Sequence, residues 1–332
     1  MDFLRASSLP WLDFRQRQLR DLRVAQRLPH SILLLSTPGL GAEDLADWLV
    51  ALALCESRDD GTQSAPPCGA CPSCTLLRSD SHPDYHPVRL EDGAKQIKVE
   101  QVRELIDSLM LKSYRGGYKV GVIEGAEALN THGANAFLKT LEEPSAATLL
   151  LMIARPTHRL PATIASRCTR MVLRAPGAAV ALPWLGAHGP AEPNWTAALE
   201  LAGGAPLLAI ELQQTGIAAL EADMREGIRA LGAGALDVTL LADQWVRSNL
   251  PLRIAWLENW ITRRVHGLLS GGHSSQSAGQ VSLPAALLKP KIRALFELLD
   301  ATRELRRLSS TGMNQQLALE ALLLGGRTAL AP

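Results

Sequence analysis

The sequence predicts an α/β domain on a mainly parallel sheet and an all-helical domain in the C-terminal third. Three observations carry that prediction. As far as Arg174, apolar strand-like runs alternate with amphipathic helical ones, the pattern of strands joined by helical crossovers. The stretch Ser36-Thr37-Pro38-Gly39-Leu40-Gly41-Ala42-Glu43 sits between such a strand and such a helix, in the setting of a phosphate-binding loop. From about Gly216 onward no strand pattern remains, while helical spacing recurs to the end.

The elements follow in order. Candidate strands lie at 31–35, 119–124 and 148–154, and candidate helices at 43–55, 99–111 and 134–141. Leu45, Trp48, Leu49 and Leu52 share one face of the first helix. Val99, Val102, Leu105, Ile106 and Leu109 share one face of the second, and Pro144 closes the third. Residues 175–193 are crowded with Ala, Gly, Pro and Trp, and a short helical segment reaches Leu212, broken by Gly203-Gly204 and Pro206. Then come three helical sets: Trp245, Leu252, Leu257, Trp260, Ile261, Val265 and Leu268; Ile292, Leu295, Leu299, Thr302 and Leu305; Leu317, Leu319, Leu322 and Leu323. A Ser/Gly-rich stretch at 270–279 reads as a flexible loop between helices.

A chain of 332 residues accommodates two or three domains, and its net charge of +1 gives no global basic field of an autonomous nucleic-acid binder. No apolar run approaches the ~18 residues of a membrane span. The first residues carry Arg and Asp throughout and lack an apolar signal core. The expectation is a soluble, cytoplasmic protein with no membrane partner.

The phosphate loop lacks its phosphate-binding groups. The working pattern uses glycines to bring backbone N–H groups to the phosphates, a Lys for the β/γ-phosphates and a hydroxyl for Mg²⁺. Gly39 and Gly41 remain, but Ala42 stands at the Lys position and Glu43 at the hydroxyl position. A cation is lost and a repulsion gained, so nucleotide binding is expected to be lost. The strand at 119–124 supports this: Gly125 follows where a water-polarising carboxylate belongs, and Glu124, which could still approach a metal, reads rather as a strand cap facing solvent.

Four of the five cysteines, Cys55, Cys68, Cys71 and Cys74, form a C-x12-C-x2-C-x2-C pattern. Two-residue gaps let thiolates converge on a tetrahedral centre, and four thiolates complete a structural zinc site. Disulfides, weaker in a reducing cytosol, and unligated thiols are the alternatives. Cys168 reads as a small buried hydrophobe. His30, His82, His86, His132 and His158 read as local hydrogen-bonding or capping residues, since the thiolates already fill a zinc shell. Most Trp residues sit at apolar helical positions and read as core. No G-x-S-x-G or Cys/His arrangement suggests a nucleophilic hydrolase. Arg167, in Ser166-Arg167-Cys168, admits two readings: a solvated surface charge, or a cation reaching a neighbouring subunit's γ-phosphate.

Several motifs resemble one family: Arg27-Leu28-Pro29-His30, the 36–43 turn, the cysteine insert, His82-Pro83-Asp84, the block from Asn135 to Pro144, and Ser166-Arg167-Cys168. Together they resemble the AAA+ subunits of the bacterial DNA polymerase III clamp loader, and the missing phosphate-binding groups point to its nucleotide-site-inactive member rather than the gamma/tau motor. The sharp matches lie within 27–168; beyond them the likeness is a helical region of fitting length.

The resemblance implies an AAA+ domain at 1–172 with the zinc module at 55–74, a small helical lid at 173–213 and an all-helical collar at 214–332. It implies a hetero-pentameric ring with gamma/tau ATPase subunits and a delta subunit, acting on the sliding clamp and primed DNA. Ser166-Arg167-Cys168 matches the family's trans-acting arginine motif, which implies that Arg167 serves the adjacent subunit's ATP. Leu207 stands where active lids carry a sensor arginine. The expected function is a non-catalytic wall of the ring that helps load the clamp in DNA replication. No intrinsic ATPase and no bound ATP are expected, although the chain would be part of the polymerase holoenzyme. The alternatives are an active clamp-loader ATPase with an unconventional loop, separated by nucleotide titration, and a zinc-stabilised regulatory adaptor, separated by co-purification with the motor subunits.

Overall fold

The apolar runs at 31–35, 119–124 and 148–154 become the middle of a parallel sheet. In the computed structural model, β1 (Ser31–Leu35), β2 (Tyr85–Val88), β3 (Lys119–Glu124), β4 (Thr148–Ala154) and β5 (Thr169–Val172) lie in the order β2-β3-β4-β1-β5, with every pairing parallel. The structure describes residues 1–57, 66–91, 93–94, 96–155, 160–190, 194–214, 217–234, 237–269, 285–308 and 314–330. The predicted loop at 270–279 and His158 fall outside these. All seven residues of β4 are buried, as expected of a strand covered on both faces, and its unbroken apolar run TLLLMIA follows from that.

The chain divides into two compact units: Met1–Gly189 with Gly204–Leu208, and Pro190–Gly203 with Ala209–Pro332. In the first, the sheet is accompanied by α1 (Asp13–Val24), α2 (Ala42–Leu54), α3 (Pro72–Arg78), α4 (Val99–Met110), α5 (Thr131–Glu142), the single turn α6 (Ala162–Ala165) and α7 (Ala178–His188). α2 is buried nearly all round, with Trp48, Leu49 and Leu52 inaccessible. α4 and α5 set Val102, Leu105, Phe137 and Leu141 into one core with Leu150 and Met152 of β4.

Polar side chains fix the ends of these helices. The Asn130 side chain accepts from Gly133 N–H at 2.8 Å and starts α5, three residues before the predicted start. Lys119 is buried at the head of β3; its Nζ donates to the Leu109 carbonyl, to Leu111 O at 2.6 Å and to Ser145 Oγ at 2.8 Å. A cation on the last carbonyls of α4 complements the helix dipole there.

The second unit contains α8 (Trp195–Leu201), most of α9 (Pro206–Gln214), α10 (Ile217–Gly232), α11 (Val238–Arg247), α12 (Leu250–Leu269), α13 (Ala285–Leu308) and α14 (Gln315–Leu330). Among the described residues it has no strand. Trp245, Trp256, Ile254 and Leu257 are buried at its centre. Buried Arg253 donates to Asp223 Oδ2 at 2.5 Å and to Ser248 O at 2.8 Å, with its guanidinium 5.5 Å from the Trp245 ring. Pro206 opens α9 rather than breaking it, because a first-turn residue needs no N–H.

Candidate functional sites

Because the strands are parallel, the ends of β1, β3 and β4 share one edge of the sheet, where α/β folds bind ligands. The phosphate-loop-like turn follows β1 there, with Ser36 N donating to Ala154 O at 3.0 Å. Gly39 and Gly41 both have φ of +80°, a conformation side chains rarely adopt. Ala42 is buried as the first residue of α2, and Glu43 is exposed in that helix's first turn.

The chain packs against its own turn. Leu207 N donates to Gly39 O at 3.1 Å. A Cβ on Gly39 would lie 2.5 Å from Leu208 N and closer still to Leu208 Cβ; one on Gly41 would lie 2.7 Å from Leu9 Cδ1. Trp11 Nε1 donates to Leu40 O at 2.9 Å, and Trp11 stacks edge-on against Trp184 with centroids 5.0 Å apart. Sequence reasoning missed this packing, since nothing local to the turn announces it.

Glu124 is paired rather than solvated. Arg89 Nε donates to its Oε1 at 2.8 Å, and the Glu124 side chain is 28% exposed. That corrects the solvent-facing expectation: a loop after β2, an element not predicted, brings Arg89 to the end of β3. Burial first, and then the Glu124 charge, push the Asp47 carboxyl up to about 6. Nearby, Arg155 pairs with Glu127 at 3.5 Å.

The four predicted cysteines come together. Their sulfurs all lie within 4.8 Å of one another, with Cys55 Sγ 3.6 Å from Cys68 Sγ and 3.9 Å from Cys71 Sγ. Tetrahedral thiolates at a metal–sulfur distance of ~2.3 Å stand ~3.8 Å apart, so the set can hold a metal ion. None of the cysteines forms a disulfide. Cys55 ends α2, while Cys71 caps α3 and Cys74 lies within it. Backbone N–H groups of Cys68, Cys71 and Cys74 donate to the sulfurs of Cys55, Cys68 and Cys71 at 3.4, 3.3 and 3.5 Å. Hydrogen bonding from Cys74 pulls the Cys55 thiol below its ordinary value.

His82 supports this module from outside the sulfur set. Its Nδ1 accepts from Asp84 N at 3.1 Å, leaving the proton on Nε2, which donates to Ser73 Oγ at 3.1 Å. Ser73 Oγ donates to Glu56 Oε1 at 2.7 Å, and Arg115 Nε donates to the same oxygen at 2.7 Å. Asp84 receives Tyr114 N–H at 2.7 Å and Arg115 N–H at 3.0 Å. His30 contacts Leu141 O at 3.1 Å through Nε2. Both histidines thus act as local hydrogen-bonding residues, as the sequence suggested.

Arg167 lies at the opposite edge of the sheet, just before β5. Its carbonyl accepts from Ser31 Oγ, at the first residue of β1, at 3.2 Å. Its Nε donates to Glu142 Oε1 at 2.7 Å and its Nη2 donates to the same oxygen. Its Nη1 donates to Thr163 O at 2.9 Å and contacts Ser166 Oγ at 3.3 Å. Glu142 was not singled out from sequence; the pair spans 25 positions and is carried by tertiary structure. Cys168, half-buried, packs against the apolar core and donates to Ile164 O at 3.2 Å.

A family model described as DNA polymerase III, delta subunit matches residues 14–177. The chain is 35% identical over 306 residues to DNA polymerase III subunit delta' of Pseudomonas aeruginosa, covering 89% of this chain and 90% of that protein. It is 34% identical over 333 residues to the Yersinia pestis protein of the same name, with 97% and 96% covered. With Escherichia coli DNA polymerase III subunit delta' it shares 30% over 326 residues, with 95% and 94% covered. The match to the Escherichia coli tau subunit, 34% identical, spans only 149 residues and 45% of this chain. Alignment along nearly the whole length, with subunit after subunit of one name, shows that the chain belongs to the DNA polymerase III subunit delta' family.

Proposed function

We propose that this chain is a non-catalytic wall of the replicative clamp loader, and that Arg167 acts on the ATP of an adjoining gamma/tau subunit. The observation that carries the second half is the position of Arg167. It sits beside the amino end of β1, while the chain's own phosphate-loop turn follows the carboxyl end. The five residues of β1 at ~3.3 Å each separate the two by about 16 Å. A guanidinium at that edge is too far away to serve its own turn, which leaves a neighbour's phosphate as its target. Guanidinium suits the task because it is always charged and presents a planar fork of donors.

The seating of Leu207 and Leu208 on Gly39 supports a turn that serves as structure rather than as a nucleotide site. It speaks against the alternative of an active ATPase with an unconventional loop. In this reading residues 1–172 form an AAA+ domain, 173–213 a lid and 214–332 a collar that joins gamma/tau and delta subunits in a hetero-pentameric ring acting on the sliding clamp and primed DNA in the cytoplasm. The four cysteines hold zinc as a structural ion, since four thiolates leave no open position for chemistry.

The test is Arg167→Ala in a reconstituted loader. Assembly should be unchanged, because a surface Arg contributes little to stability. ATP hydrolysis stimulated by clamp and DNA should fall at the one adjoining site, and Arg167→Lys should rescue it poorly because an ammonium lacks the fork. Stimulated hydrolysis and clamp loading equal to wild type, with assembly confirmed, would refute the role of Arg167.

A further inference from the structure

The Arg167 guanidinium is already engaged within its own chain. Nε and Nη2 both donate to Glu142 Oε1, and Nη1 is taken by Thr163 O and Ser166 Oγ. Only about a third of the side chain is exposed (34%), against 52% for Glu142. A cation so occupied has few donors left for a phosphate in another subunit. Glu142 is also the last residue of α5, with Glu143 beside it, so its charge sits where the helix dipole disfavours an anion. The location therefore gains nothing from helix stability; what compensates the carboxylate there is Arg167.

We propose that Glu142 is a latch on Arg167: its carboxylate competes with the adjoining subunit's nucleoside triphosphate for the guanidinium and holds the arginine back until the subunits close. The proposal rests on Arg167 acting in trans. When the neighbour's phosphate approaches, its oxygens replace a single carboxylate oxygen as the acceptor, and the ion pair opens. The two anions share one cation, so whichever is nearer takes it. An open ring leaves the arginine with Glu142; a closed ring gives it to the phosphate. The uncompensated Glu142 at the end of α5 then supplies the restoring force when the phosphate leaves. Glu142 acts through its ion pair with Arg167 rather than on the phosphate, so it is a positioning residue.

An exposed ion pair withholds its cation by a modest factor, and a competent state that is partly populated lowers the observed effect in proportion. In the reconstituted loader, Glu142→Gln should therefore raise ATP hydrolysis without clamp or DNA roughly two- to fivefold. It should leave the fully stimulated rate within about twofold, because closure already frees the arginine there. The double variant Glu142→Gln with Arg167→Ala should show the rate of Arg167→Ala alone. Thermal melting of the full chain carrying Glu142→Gln serves as the folding control and should match wild type. An unstimulated rate equal to wild type in the Gln variant overturns the latch, provided Arg167→Ala lowers the stimulated rate. A fall in both rates overturns it as well, since Glu142 would then be aiming the guanidinium forward. If Arg167→Ala leaves the stimulated rate untouched, the trans role itself has failed, and the two failures are told apart by that single control.

Discussion

Asp47, on α2, carries a carboxyl that burial and the nearby Glu124 charge push up from 3.8 to about 6. The folded state thus holds that proton more tightly than the unfolded chain. Below the ordinary aspartate value both states are protonated and the group is neutral to stability. As pH rises from near 4 towards 6, the unfolded chain ionises first and stability is lost. Above about 6 the penalty is complete. Asp47→Asn removes the charge, so it should be close to neutral at pH 4 and stabilising at pH 7. With Asp47 partly open to solvent, the gain should be about 1 kcal/mol rather than the full shift. Denaturant melts at the two pH values check this, and an equal effect at both would contradict it. Nothing in the sequence around Asp47 announced the shift; it arises where α2 and β3 meet. Gly39, Ala42, Glu43 and the four cysteines were legible because their meaning lies in short spacing. Glu142 was not, because its partner comes from another part of the chain.

The same distinction governs the elements. β1, β3 and β4 stood out as near-continuous apolar runs, since central parallel strands are buried on both faces. β2 and β5 escaped notice: each has four residues, β2 contains Pro87, and β5 buries only Met171. Both are edge strands, where a weak apolar signal and a proline are tolerated. α1, DFRQRQLRDLRV, buries only Gln16 and Leu19, too few to declare a face. The cysteine module is an element of a different kind, with Cys55 at the end of α2, Cys71 capping α3 and Cys74 within it. A metal there would staple α3 to a helix inside the core. Protein purified without chelator should contain about one zinc per chain, and Cys71→Ser should abolish it. Melting of the first unit should fall by several degrees, because a structural metal site contributes folding energy directly. The ellipticity of the second unit should persist, since Arg253, Trp245 and Trp256 organise it without the cysteines. Absence of zinc by elemental analysis would remove the assignment.

For the molecule as a whole, the proposed loss of the nucleotide site predicts indifference to nucleotide. A ligand that binds only the folded state stabilises it by an amount set by its concentration relative to its dissociation constant. If ATP bound with a dissociation constant of ~10 μM, ~1 mM Mg-ATP would add about 2.7 kcal/mol, a shift of several degrees. This chain should show less than about one degree. Chemistry alone does not explain that expectation. Ala42 and Glu43 remove the cation and the hydroxyl, but Leu207 and Leu208 also sit against Gly39, and Leu9 against Gly41. Ala42→Lys combined with Glu43→Thr should therefore remain unresponsive to Mg-ATP, because the turn is still covered by the start of α9. A thermal shift of several degrees in the double variant would show that the chemical losses were the whole obstacle. A comparable shift in the wild-type chain would refute the indifference altogether. If the expectation holds, this subunit presents the same surface whether ATP is abundant or scarce. Under the latch proposal, nucleotide then reaches this subunit through the exchange of Arg167 between Glu142 and a neighbour's phosphate, governed by how closely the neighbour approaches.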